Sequence, residues 1–277
     1  MNMENQSIPQ KSKFSSTFAL LVIPLCLVVA HIIFYFIFGA TSNFESPGVP
    51  KVGNYFGIVY NGGFIVPILM SFFLMVITFS IERFITIQQA YGSGSLDNFV
   101  RRIKSFLSSN EVHSAMQVCE EQRGSLGNVT LSVLKKYKSV AVDKVMTKEQ
   151  KQVSIQKELE EAISLELPIL EKNLTILATL ASVATLVGLL GTVIGMIKAF
   201  AALASSGTPN AEALATGISE ALINTALGIA SSAFAIIFYN YFTSQIDTLT
   251  YSIDEVGFSI NQNFAANNKD KESAVIA

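Results

Sequence analysis

The sequence is poor in charge. Of 277 residues only 14% are Asp, Glu, Lys or Arg, and the formal net charge is −2. Nucleic-acid readers carry dense basic surfaces, so this balance gives no sign of a nucleic-acid partner. Cysteine is nearly absent as well. Cys26 falls in an apolar block and Cys119 in a charged region, so the two do not pair, and no zinc-like spacing exists. No glycine-rich phosphate loop and no β alternation can be found. The polar residues contain neither a nucleophile–base pair nor a metal set, which argues against an enzyme and leaves no metal or cofactor to expect. The Asn128-Val129-Thr130 sequon lies in the charged region and is read as chance.

What the chain has in abundance is apolar side chains. They make up 50% of the residues, and mean hydropathy is +0.45. They gather in four blocks, roughly 14–38, 64–87, 174–203 and 214–242. Each exceeds the ~20 helical residues that cross a ~30 Å hydrocarbon layer. The expectation is an all-α membrane protein with four transmembrane helices. The first block is too long for a signal peptide, and Phe38 stands where cleavage needs a small residue, so it reads as a retained span. His31 within it is expected to pack with a hydrogen bond.

The charged region between the second and third blocks has helical patterning. "GSGS" at 92–95 breaks the second span, and Ser95 is placed to cap a helix to about Leu107. Turns at 108–110 and 123–128 separate helices over Glu111–Gln122 and about Val129–Val142. From Thr147 a helix is expected to run straight into the third span. Leu159, Ile163, Leu167, Leu170, Leu174 and Leu177 form its apolar stripe, with Pro168 as a candidate kink. The division is 1–63 with the first span and a loop, 64–88 the second span, 89–173 a helical domain, 174–245 the last two spans, and 246–277 a tail.

Positive residues set the expected orientation. Twelve Lys/Arg lie between Gln88 and Asn173, Lys11 and Lys13 precede the first span, and Arg83 ends the second. The 40–63 connection holds only Lys51, and Lys198 near the far end of the third span can snorkel outward. Both termini and the 89–173 domain are therefore expected in the cytoplasm.

Helical wheels sort the polar atoms of the last two spans. With Glu220 at zero, Gly217, Asn224, Thr225, Gly228, Ser231 and Ser232 fall within a band of about 140°. Bulky residues such as Leu222, Ile229 and Ile237 lie opposite. The third span gathers Ser182, Thr185, Gly188, Thr192 and Gly195 on one face. For the glycines, including Gly191, the reading is close helix packing. An acid in hydrocarbon costs on the order of a few kcal/mol, so Glu220 reads as facing a bundle interior or wet cavity. The alternative is an interfacial carboxylate near the end of its span.

"LVGLLGTVIGMIKAF" (186–200) followed by "GISEALINTALGIASSAFAIIFYNYF" (217–242) resembles the ExbB/TolQ/MotA proton-channel family, nearest its ExbB/TolQ branch. "IERF" (81–84) and the charged helix at 158–184 share the family's character, and the resemblance covers about 64–245. It implies a three-helix core, to which the 14–38 span is an addition, and long helices extending from the membrane into the cytoplasm. It implies a bacterial inner-membrane ring, a homopentamer, around the single span of an ExbD/TolR-like partner, passing protons and driving a TonB-like protein in outer-membrane import. TolQ-like envelope maintenance, a MotA-like stator or a non-conducting scaffold are the alternatives. Thr192, Glu220 and Thr225 take the pore-lining positions, with Ser182, Thr185, Asn224, Ser231 and Ser232 as further pore-face candidates. The family often has proline where this chain has Thr185 and Phe234, so two bends are expected to be absent or made differently.

Overall fold

In hydrocarbon every backbone N–H and C=O must find its partner inside the segment, which leaves a long apolar run little choice but helix. The computed structural model describes residues 13–46, 48–205 and 211–267, and it obeys this rule. Four of its helices are long and apolar enough to cross a membrane. In chain order the helices are α1 (Lys13–Ile32), α2 (Tyr55–Tyr60), α3 (Val66–Tyr91), α4 (Leu96–Ser108), α5 (Val112–Gln122), α6 (Gly124–Val142), α7 (Lys148–Glu171), α8 (Leu174–Ser205) and α9 (Ala211–Asn267). The chain divides into two compact units. One holds the residues through Ile81 together with Thr175–Tyr239, and the other Glu82–Leu174 with the residues from Asn240 onward.

In the first unit α1 ends in a π-helical turn, Ile33–Phe38. It packs on α3 through an edge-on pair, Phe18 and Phe79, with centroids 6.1 Å apart. Phe34 stacks on Tyr60 of α2 at 4.7 Å. His31 hydrogen-bonds its own helix, with Nδ1 2.8 Å from the Leu27 carbonyl oxygen. The 40–63 connection is more ordered than its composition suggests. A two-stranded antiparallel hairpin pairs β1 (Phe44–Ser46) with β2 (Val49–Pro50), so the chain does contain β structure. Asn54 then caps α2 by accepting from the N–H groups of Phe56 and Gly57. No break interrupts α8 at Thr185 or α9 at Phe234, where bends were in question. Phe234 instead sets its ring edge-on against Phe73 of α3 at 5.6 Å.

The second unit departs from expectation at three places. The 123–128 stretch is not a turn: only Arg123 and Gly124 take positive φ, and α6 begins at Gly124. The helix from Thr147, closed by a capping box with Gln150, does not run unbroken into α8. It stops at Glu171, and Asn173 turns the chain with φ 65°. The residues from 246 to 267, expected as a tail, continue α9 as helix. They bury Ile246, Leu249, Ile253, Val256, Ile260 and Phe264 at spacings of three and four. Arg83 explains the α7 break. It is buried, ion-paired with Glu82, and donates from Nη1 to the carbonyls of Ile169 and Leu170 at 3.3 and 3.0 Å. Those are two of the last carbonyls of α7, which a terminated helix leaves without partners. Asn173 Nδ2 adds a 3.3 Å bond to Glu82.

Candidate functional site

The seam between α8 and α9 is built on backbone contact. A Cβ on Gly188 would lie 3.0 Å from Gly228 Cα, and one on Gly228 would lie 2.7 Å from the Ala184 carbonyl oxygen. A second pair, Gly195 and Gly217, meets two turns away, and Gly191 lies against the Asn224 side chain. Two helices at this separation leave room between them only for short polar side chains.

Those side chains bond one another or nearby backbone carbonyls. Thr192 and Thr225 hydrogen-bond hydroxyl to hydroxyl across the seam. Thr225 also lies 3.2 Å from the Ala221 carbonyl oxygen, and Thr192 is 3.4 Å from the carbonyls of Ala221 and Gly188. Ser232 donates to the Ala181 carbonyl across the same seam. Ser231 donates within α9 to Leu227 at 2.8 Å. The seam thus brings together Thr192, Thr225, Asn224, Ser231 and Ser232. Ser182 and Thr185 stay outside it, exposed on another side of α8.

Glu220 is buried, with a side chain only 6% exposed. Its Oε1 lies 2.6 Å from the Lys198 ammonium, which is 49% exposed and 5.8 Å from the ring centroid of Phe64. The turn before α3 closes over the acid. Gly63 holds φ 78°, and any Cβ there would fall on the Glu220 carboxylate, so glycine is demanded both by backbone and by space. One turn further along α9, Asn224 is fully buried and donates from Nδ2 to the Gly62 carbonyl at 3.0 Å. Its Oδ1 has no protein partner.

Sequence reasoning missed Lys198 as a partner of Glu220, reading it as a snorkelling side chain. It also missed the Gly62-Gly63 turn. Lys198 is the only Lys or Arg between Lys172 and Lys269, but nothing local to either residue joins it to Glu220. Among the described residues no group of three or more His, Cys, Asp or Glu gathers to hold a metal ion. A pair of hydroxyls sharing a hydrogen bond beside a buried, compensated acid suits water and protons rather than a bulky solute.

Comparison with known proteins gives the seam a context. Residues 127–255 match the family described as the MotA/TolQ/ExbB proton channel family. The biopolymer transport protein ExbB of Salmonella typhimurium is 36% identical over 84 residues, 30% of this chain and 34% of that protein. ExbB of Xanthomonas campestris pv. campestris is 30% identical over 115 residues, 42% of this chain and 46% of its own. The Tol-Pal system protein TolQ of Haemophilus influenzae is 38% identical over 88 residues, 32% of this chain and 39% of its own. The matched stretch thus spans less than half the length of each of these relatives.

Proposed function

This chain belongs, through residues 127–255, to the MotA/TolQ/ExbB proton channel family, and from that membership we propose that it is the ring-forming subunit of an inner-membrane proton channel. The observation that carries the reading is the α8–α9 seam. There the Thr192–Thr225 hydroxyl pair and buried Glu220 lie inside the segment matched to the family. In this reading the subunits form a homopentamer around the single span of an ExbD/TolR-like partner. Thr192 and Thr225 hold water or relay protons, and Glu220 shapes the field of the path. The proton-carrying group proper belongs to the partner. Proton flow then works on a TonB-like protein and energises import across the outer membrane. The chain crosses the membrane four times with both termini and the 89–173 domain in the cytoplasm.

A TolQ-like duty is the second reading, favoured by the TolQ match at an identity similar to that of the ExbB matches. Deleting the gene separates the two: loss of outer-membrane import marks the first, loss of envelope integrity the second.

The residue test uses Glu220→Ala, Thr192→Val and Thr225→Val. Valine removes a hydroxyl at similar size. Loss of one hydrogen-bonding group in a preorganised path is worth ~10-fold or more in rate. The expected result is at least that loss of proton-driven transport for each variant, with normal amounts of assembled ring. Full transport in all three variants overturns the pore assignment.

A further inference from the structure

Glu220 does not stand alone, and its companion is chemically suited to more than filling space. The acid is almost fully withdrawn from water, while the ammonium that neutralises it is half exposed. A buried carboxylate without a compensating charge is strongly disfavoured, and removing one member of such a pair harms more than removing both. Within α8 and α9 Lys198 is the only Lys or Arg. The Gly63 turn presses against the carboxylate on one side, and on another the pair lines an open cavity with Glu212 and Thr216.

We propose that Lys198 is the positioning residue for Glu220. Its ammonium lies against the carboxylate and holds it oriented on the Gly63 turn, one turn from Thr225 and Asn224. This role rests on the channel reading above, since it specifies how Glu220 acts there. The 2.6 Å contact supplies the compensating charge. The Phe64 ring beneath the ammonium holds the long stem in place, a cation–π arrangement. Exposure of Lys198 on its other side means that the pair is reached from outside the helix seam without opening it.

Two readouts in the purified chain and in cells separate this proposal from the channel reading. The variants are Lys198→Met, which keeps length and loses charge, Lys198→Arg, which keeps charge, Glu220→Gln, and the double variant Lys198→Met/Glu220→Gln. In detergent, the thermal midpoint of Lys198→Met is expected to fall below that of the double variant, because the single change leaves the buried acid uncompensated. In cells, Lys198→Met is expected to lose about 10-fold or more in proton-driven transport. Lys198→Arg is expected to stay within about 2-fold of the parent. Adding Lys198→Met to Glu220→Gln is expected to cause no further loss, since a residue acting only through Glu220 has nothing left to position. Additive losses, or a methionine variant that transports as well as arginine, overturn the positioning role. If the midpoints couple as expected while Glu220→Gln transports normally, the pair stands as structure, and it is the channel reading that fails.

Discussion

Cys119 shows how a residue's surroundings settle its chemistry. It lies on α5, 1% exposed, among Ala115, Val118 and other apolar side chains. Burial, with the Glu120 carboxylate beside it, pushes the thiol from 9.0 up to about 12, against a smaller opposing effect from its own backbone N–H. A thiol is reactive only as thiolate, so Cys119 is inert at neutral pH. The sign for stability follows. Because the folded value is raised, the contribution is present below pH 9 and is lost as the pH climbs toward 12. We expect Cys119 to react with maleimide at pH 8 at least ~10-fold more slowly in the folded chain than in denaturant. Equal rates would mean that α5 does not bury it. Arg83 makes a complementary point at the same scale. Its count among the positive residues made it an orientation marker in the sequence, yet its guanidinium is spent on the carbonyls that end α7. Charge alone does not reveal which acceptors a guanidinium will reach.

At the scale of elements, glycine position distinguishes rigid contact from adjustable contact. At Gly228 the atoms an added methyl would meet are backbone, the Ala184 carbonyl oxygen and Gly188 Cα at 2.7 and 2.9 Å. At Gly257 the obstacle is the far end of the Leu159 side chain, which can rotate away. Gly228→Ala is therefore expected to force α8 and α9 apart and destabilise by about 1–3 kcal/mol. Gly257→Ala gains helix propensity of up to about 1 kcal/mol against a small repacking cost and is expected to be near neutral. Thermal melts followed by circular dichroism in one detergent check both; a Gly228→Ala melt no lower than that of Gly257→Ala contradicts the tight seam. These pairs explain what was readable beforehand. The spans and the small-residue faces follow from periodicity, which is local, and the family motif located Thr192, Glu220 and Thr225. Ser95 as a cap and Thr147 as a helix start were readable for the same local reason. Neither Lys198 against Glu220 nor the Gly62 carbonyl against Asn224 was readable, because 22 residues in one case and 162 in the other separate partners that only tertiary packing joins. The stop at Asn173 was hidden for the same reason, since α7 ends against Arg83, far away in sequence.

At the scale of the whole molecule, the placement of charge predicts orientation. Of nineteen Lys and Arg, only Lys51 in the 40–63 connection and Lys198 near the far end of the third span lie away from the segments expected inside, and this bias favours retention of those segments in the cytoplasm. Cysteine labelling in intact cells tests this, and two sites suit it. Val52, 96% exposed beside the hairpin, marks the connection expected outside. Ser139, exposed on α6, marks the domain assigned to the cytoplasm. The native thiols interfere little, because Cys26 and Cys119 are both buried. Val52→Cys is expected to react with a membrane-impermeant maleimide in intact spheroplasts. Ser139→Cys is expected to react only after the membrane is opened. Reaction of Ser139→Cys from outside, with Val52→Cys protected, would invert the topology. Both termini and the 89–173 domain would then lie outside the cytoplasm, against the charge bias.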